Sequence, residues 1–178
     1  MKSYKTKFEK VKLLKIDIFR DKRGFFYENF HQAKYQNFFT SKFIQDNISF
    51  SKKNVIRGLH LQTKYSQEKY VSVLKGAILD VVVDLRKESR TYGKHYKIIL
   101  SDENAKSIFI PAGFAHGFLA LKKENIIYYT CTNYRSAKHE VGILWNDKDL
   151  KIKWPIKKPI VSKKDKKNMK FIEFKKIY

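Results

Sequence analysis

Cysteine and glycine are scarce in this sequence, which has 1 and 7 of them among 178 residues. With Cys131 alone, no disulfide can form within the chain, which excludes a bridge-stabilised secreted scaffold. No apolar run approaches the roughly 18–20 residues of a membrane helix, and residues 1–15 lack the apolar stretch and cleavage site of a secretory signal. We therefore expect a cytoplasmic protein without a membrane partner.

Acidic residues are also few, with 17 Asp and Glu against 39 Lys and Arg, for a formal net charge of +22. Such an excess can indicate binding to nucleic acid or to an anionic membrane. Here the lysines are spread along the whole chain and form no basic arm. We expect no nucleic-acid partner, although the charge should attract anionic phosphorylated ligands.

Apolar residues make up 43% of the chain and aromatic residues 15%, which is enough to fill the core of one domain spanning residues 1–178. Short β-branched and aromatic runs separated by turn residues predict an all-β sandwich or barrel. The run from Ala77 to Leu85 is apolar enough for a strand covered on both faces. His31 to Phe39 and Ser162 to Met169 are predicted as short helices, with Ser162 as an N-cap. The other predicted strands are Val71 to Leu74, Tyr96 to Leu100, Ser107 to Ile110, Gly117 to Leu121, Ile126 to Thr132 and Val141 to Trp145.

Five polar groups interrupt this pattern with chemically useful side chains. Taken singly, an arginine is usually a surface ion-pair partner, a histidine a hydrogen-bonded structural residue, and a strand tyrosine a packing residue. The groups are Arg23 to Glu28, Gln45 to Asn47, Arg57 to Gln62 with Lys69, Pro111 to Phe118, and Tyr128-Tyr129 with Asn133-Tyr134.

The order and spacing of these groups resemble the dTDP-4-dehydrorhamnose 3,5-epimerase family from about Asp21 to Asp165. The segments that carry the resemblance include Arg57-Gly58-Leu59-His60, Pro111 to Phe118, Gly142 to Asp147 and Ser162 to Asp165. The resemblance implies a cupin-type jelly roll, a homodimer, and a nucleotide-diphosphate sugar as substrate. It also implies a reaction without cofactor or metal, in deoxysugar synthesis for surface polysaccharide.

The implied reaction is an inversion beside a ketone. A C4 carbonyl acidifies the hydrogens on C3 and C5, so a base can remove one and leave an enolate that is protonated from the other face. By resemblance His60 is the base and Asp165 its partner, and imidazole titrates in the range that such a base requires. Lys69 matches the family lysine at the enolate oxygen, and Tyr129, preferred over Tyr128, matches the proton donor.

The resemblance also assigns residues that bind substrate. Arg23 and Arg57 can grip diphosphate oxygens with forked donors, and Phe26 or Tyr134 can stack on a base or sugar. Glu28, Gln45 and Asn47 offer hydrogen bonds to polar edges, and Gln62 and His116 belong to the same predicted pocket.

Two departures from the family pattern leave the substrate open. Arg135 stands after Tyr134 where the family often has a second tyrosine, and Val141 replaces a frequent arginine. The nucleotide base can be that of dTDP or of GDP, and the sugar can be a hexose or a heptose. Inversion can occur at C3 only or at both C3 and C5.

Three other functions compete with an epimerase. A metal-binding cupin has only His60, Glu68 and His116 as candidate ligands here, a set that is sparse for a transition metal. A sugar 3,4-ketoisomerase would act on a similar substrate by moving its carbonyl. A non-catalytic nucleotide-sugar-binding module gives no reason for a base, a lysine and a phenol to occur together.

Overall fold

The computed structural model describes residues 2–36 and 38–178, and β-strands dominate this part of the chain. Two short α-helices, α1 (Gln32–Tyr35) and α2 (Phe171–Ile177), and two 3₁₀ turns, Ala137–His139 and Asp165–Lys167, complete it. The strands are β1 (Lys2–Tyr4), β2 (Lys12–Lys15), β3 (Phe19–Asp21), β4 (Gly24–Phe26), β5 (Gln45–Lys52), β6 (Val55–Gln62), β7 (Lys69–Lys75), β8 (Ala77–Asp84), β9 (His95–Ser101), β10 (Lys106–Ile110), β11 (Phe114–Ala120), β12 (Glu124–Cys131), β13 (Glu140–Gly142) and β14 (Ile160–Val161).

Two antiparallel sheets form a jelly-roll sandwich, which confirms the all-β prediction. The first sheet has the order β1-β2-β10-β7-β12-β5, and the second has the order β13-β6-β11-β8-β9, with β14 added in parallel to β6. The hairpin β3-β4 stands apart as a two-stranded sheet. Among the described helices, none has the length and apolar character that crossing a bilayer requires.

The second sheet is covered on both faces. Ile78 and Val82 of β8 belong to the core between the sheets, whereas Val81 and Val83 pack in an outer cluster with Phe171 and Phe174 of α2. Successive side chains of a strand point to opposite faces, so a strand covered on both sides carries apolar residues on both faces, as β8 does at these four positions. The predicted two-sided burial of this run is therefore confirmed.

The seven predicted strands all have counterparts, with shifted ends. The last, predicted from Val141 to Trp145, is wrong in its second half, because β13 ends at Gly142 and Ile143 makes only an isolated bridge to Met169. The prediction omitted the other described strands, β1 to β6 and β14, of which β5 and β6 are the longest. Polar side chains occupy much of both strands, which obscures their alternation.

The predicted helices are shorter than expected. Only Gln32–Tyr35 of the first is helical, and Asn37, within the predicted range, lies outside the described residues. The segment from Ser162 to Met169 contains a 3₁₀ turn instead of an α-helix, although the Ser162 hydroxyl does accept a 3.0 Å bond from the Asp165 N–H. The helix near the C-terminus is α2, which buries Phe171 and Phe174.

Two glycines bring β6 and β11 unusually close. A Cβ on Gly58 would lie 2.6 Å from the Gly117 Cα and 2.8 Å from the His116 carbonyl oxygen, and the φ of Gly58 is +118°. The register of the two strands shifts between His116 and Phe118, immediately after His116 pairs with His60. This close approach sets the two histidines opposite each other.

We therefore expect Gly58→Ala to destabilise the fold more than Gly24→Ala. Both glycines have positive φ, +118° and +134°, but a Cβ on Gly24 meets nothing within 4 Å. The unfavourable φ alone costs about 1–3 kcal/mol, and the overlap at Gly58 adds a packing cost of about 1–3 kcal/mol. Urea unfolding of both variants measures the difference. Equal losses in the two variants would contradict the close-approach argument.

Candidate active site

A cavity of about 580 Å³ lies between the two sheets, and the predicted catalytic residues all line it. On β6, Leu59 and Leu61 belong to the outer cluster with α2, so His60 between them faces inward. We call this space the barrel cavity. Its lining also includes Ser49, Arg57, Lys69, His116, Tyr129, Arg135, Glu140, Lys164 and Asp165.

His60 and Asp165 form a hydrogen-bonded pair. The Nε2 atom of His60 lies 2.7 Å from Asp165 Oδ1, and the Gly58 N–H donates to Oδ2 at 3.3 Å. Burial tends to raise the pKa of Asp165, but the hydrogen bond from His60 and that from Gly58 outweigh it and lower the pKa. An ionised Asp165 holds Nε2 as the donor, which leaves Nδ1 of a neutral ring as the nitrogen that can take a proton.

His116 and Asp80 form a second hydrogen-bonded pair, of which the sequence analysis predicted only His116 as a site residue. Nε2 of His116 lies 2.7 Å from Oδ2 of Asp80, whose side chain is fully buried. Asp80 lies on β8, inside the run predicted to be buried on both faces. A carboxylate in such a run was the signal that could have found it, because buried charges need a partner.

Lys69 supplies a partly buried cation. It begins β7 and lines the barrel cavity with His60. Burial lowers the pKa of Lys69, while the nearby Cys131, Glu140 and Asp80 act in the opposite direction. A cation in this position can stabilise negative charge that develops on a substrate oxygen.

Of the two adjacent tyrosines, Tyr129 faces the barrel cavity. Tyr128 points to the outer side of β12, where its hydroxyl donates to Asp46 Oδ1 at 3.0 Å. Burial raises the pKa of Tyr129, and Arg135 and Arg57 oppose that rise. Burial and the bond to Asp46 raise the pKa of Tyr128 to about 12. The phenol available for chemistry inside the cavity is therefore that of Tyr129.

Arg57 reaches the barrel cavity, but several other predicted binding residues serve the fold of the same chain. Gln62 is buried, donates to the carbonyls of Tyr65 and Tyr134, and accepts from the Ser136 N–H. Gln45 accepts from the Arg135 N–H at 2.8 Å and donates to Asn47 Oδ1 at 2.9 Å. The roles of Gln62, Gln45 and Asn47 at a substrate stay predictions.

The remaining predicted residues lie away from the cavity lining of their own chain. Arg23 and Phe26 belong to the β3-β4 hairpin, where Phe26 is 70% exposed and Arg23 is paired with Asp21. Glu28 is paired with Lys34 at 2.8 Å, and Tyr134 is exposed in the loop after β12. The structure brings none of these four into the cavity of the same chain.

Sequence reasoning missed further groups that line the cavity. Glu140 was not named, Lys164 appeared only within the segment from Ser162 to Asp165, and Arg135 was noted only as a departure from a family pattern. Each lies in or beside a loop or turn, where polarity alone gives no functional signal. Among residues 2–36 and 38–178, no group of three or more His, Cys, Asp and Glu side chains could hold a metal ion.

The fold and the site together define the class of protein. A histidine held by a carboxylate, a partly buried lysine and an inward-facing phenol surround one cavity of a cupin-type jelly roll. This set is suited to moving protons at a carbon atom beside a carbonyl, which is the chemistry of a carbohydrate epimerase.

Comparison with known proteins identifies the family. The family model described as dTDP-4-dehydrorhamnose 3,5-epimerase matches residues 5–173. The enzyme of that name from Methanothermobacter thermautotrophicus is 45% identical over 166 residues, which cover 91% of this chain and 90% of the relative. The chain belongs to the dTDP-4-dehydrorhamnose 3,5-epimerase family.

Two solved structures are similar throughout. The dTDP-6-deoxy-D-glucose-3,5-epimerase of Legionella pneumophila, in complex with dTDP-4-keto-L-rhamnose, has a TM-score of 0.92 at 40% identity and covers 95% of this chain and 92% of its own. The dTDP-4-dehydrorhamnose 3,5-epimerase of Bacillus anthracis, with TDP and PPi bound, has a TM-score of 0.92 at 43% identity and covers 95% and 98%.

Proposed function

We propose that this protein inverts C3 and C5 of a dTDP-linked 4-keto-6-deoxy sugar. The observation that carries the proposal is the placement of His60 and Tyr129 on different sheets around one cavity, with Lys69 beside them. A base and an acid on opposite sides of a sugar ring can remove a proton from one face and return one to the other. The ligands named for the Legionella and Bacillus relatives support the dTDP-sugar as the substrate class.

The first step is removal of the proton on the carbon beside the ketone. Nδ1 of His60 takes the proton while Asp165, bonded to Nε2, stabilises the imidazolium that forms. The electron pair of the broken C–H bond moves to the C4 oxygen, which becomes an enolate. Lys69 stabilises that oxygen, and the loss of one such donor typically costs about 3–4 kcal/mol of barrier.

The second step is protonation from the opposite face. Tyr129 on β12 donates its phenolic proton to the carbon, and the enolate collapses to the ketone with the configuration inverted. The imidazolium and the phenolate return to their starting forms by proton exchange with solvent. The same two steps at the second carbon complete the reaction, and the substrate neither gains nor loses an electron.

The proposal is tested by following solvent deuterium into the substrate by NMR. With dTDP-4-keto-6-deoxyglucose in deuterated water, we expect deuterium at C3 and C5, an L-configured product and a carbonyl that stays at C4. His60→Asn should slow exchange at both carbons by about 10²–10⁴-fold, the usual contribution of a general base. The GDP-linked sugar, assayed in parallel, shows which nucleotide base the protein prefers.

The other functions give different results in the same experiment. Deuterium at C3 alone would indicate a monoepimerase, and a carbonyl that moves to C3 would indicate a 3,4-ketoisomerase. Binding without any exchange would indicate a nucleotide-sugar-binding module.

Replacing each tyrosine separately tests the proton donor. We expect Tyr129→Phe to retain more C–H exchange than inversion, because the base and Lys69 remain while the opposite-face donor is lost. Tyr128→Phe is the matched control, since it removes the same hydroxyl from a side chain that bonds Asp46 outside the cavity. Equal loss of exchange and inversion in Tyr129→Phe, or a larger effect in Tyr128→Phe, would reject the assignment.

We also propose a homodimer in which the β3-β4 hairpin of one protomer completes the cavity of its partner. The hairpin pairs with no other strand in the described residues and exposes Phe19, Phe25 and Phe26. An isolated two-stranded hairpin is marginally stable in water, and clustered exposed aromatic rings indicate a contact surface. A partner's hairpin would bring Arg23 and Phe26 to a nucleotide, as the family resemblance implies.

Mixing two inactive variants tests this arrangement. One variant is His60→Asn, and the other carries Arg23→Ala with Phe26→Ala. If the hairpin acts in the partner, each hybrid dimer contains one complete site, and random refolding should restore about a quarter of wild-type activity. No recovery from hybrids, or a monomeric mass by light scattering, would contradict the proposal.

A further inference from the structure

Three charged side chains at the rim of the barrel cavity have no part in the proton transfers. Arg135 Nε donates to Glu140 Oε2 at 2.8 Å, and Lys164 Nζ pairs with the other oxygen, Oε1. Both of these cations belong to loops, one after β12 and one just before Asp165. One carboxylate therefore holds two cations, and the group keeps a net positive charge.

Glu140 acts as the anchor of this group. Burial tends to raise its pKa, but hydrogen bonds from Arg135 and Lys164 lower the pKa of Glu140 to about 2. The carboxylate is ionised at any pH suited to the enzyme. Its two oxygens are taken by the two cations, so it fixes them in place and is not itself open to a ligand.

Arg135 is held at two points and still has donors to offer. Its backbone N–H donates to Gln45 and its Nε to Glu140, each at 2.8 Å. Within the described chain, its two terminal NH2 groups make no hydrogen bond. A guanidinium fixed at Nε presents these groups as a planar fork, the geometry that binds phosphate oxygens.

The other arginine that lines the barrel cavity, Arg57, has fewer free hydrogen-bond donors. Arg57 uses Nε on the Ser51 hydroxyl and one terminal NH2 on the Phe50 carbonyl, both at 3.0 Å. Arg135 is thus the arginine of the cavity lining with an intact fork.

Depth in the cavity indicates which part of a substrate reaches Arg135. The side chains of Asp165 and His60 are 5% and 28% exposed, whereas those of Arg135 and Lys164 are 55% and 60% exposed. A sugar in contact with His60 lies deep, so the diphosphate on its C1 extends towards the rim. We propose that Arg135 binds the diphosphate of the substrate, held in place by Glu140. This inference rests on the proposed function.

Calorimetric titration with dTDP and with inorganic pyrophosphate tests the inference. We expect Arg135→Gln to weaken binding of both probes by about tenfold, which corresponds to about 1.4 kcal/mol. Arg135→Lys keeps the charge but lacks the forked pair of donors, so its affinity for each probe should lie between those of the wild type and Arg135→Gln. Lys138→Gln is the matched control, because this exposed lysine lies three residues away and does not line the cavity. It should change either affinity less than twofold.

Each result has one meaning. If Arg135→Gln, folded by its melting curve, binds both probes as tightly as Lys138→Gln does, the inference is overturned. If Arg135→Gln loses affinity for dTDP but not for pyrophosphate, Arg135 contacts the nucleoside and the inference is also overturned. Wild-type protein that binds pyrophosphate but not dTDP would reject the proposed nucleotide, while the pyrophosphate comparison still decides the role of Arg135. Binding of neither probe would overturn both proposals.

Discussion

The hydrogen bond between His60 and Asp165 is the contact on which the rest of the site depends. It joins the middle of β6 to a turn 105 residues further along the chain. The parallel pairing of β14 with β6 returns the chain to this position, and the Gly58 N–H holds the second carboxylate oxygen. The imidazole therefore has one orientation and one open nitrogen, as a general base requires.

The surrounding sandwich keeps this pair rigid while leaving space in front of it. Part of the interior is filled by the core between the sheets, and the barrel cavity is the part left open. Leu59 and Leu61 pack beneath α2 on the outer face of β6, so the residue between them cannot turn away without unpacking that cluster. Close packing of one face thus determines the direction of the His60 side chain on the other.

The cationic side chains of the barrel cavity differ in how deep they lie. Lys69 is a partly buried cation whose pKa burial lowers, and it is suited to an oxyanion that forms inside the cavity. Arg135 and Lys164 stay at the rim, where Glu140 holds them against mutual repulsion. A substrate with a neutral ketone at one end and a diphosphate at the other fits this gradient. The many dispersed lysines contribute only a general attraction for anions.

Local pattern in the sequence was sufficient for β7 to β13, including the buried run of β8, because alternation and apolar runs depend on near neighbours, but it was not sufficient for β5 and β6. Spacing could not pair His60 with Asp165, and it was the resemblance to a family that did so. Only the tertiary structure turned Tyr129 inward and Tyr128 towards Asp46, set Asp80 beneath His116, and left the β3-β4 hairpin outside the cavity of its own chain. These outcomes depend on strand register and on contacts between distant segments, which no local pattern contains. The amino-acid sequence thus determined which side chains are available for the chemistry, and the packing of the two sheets decided which of them meet.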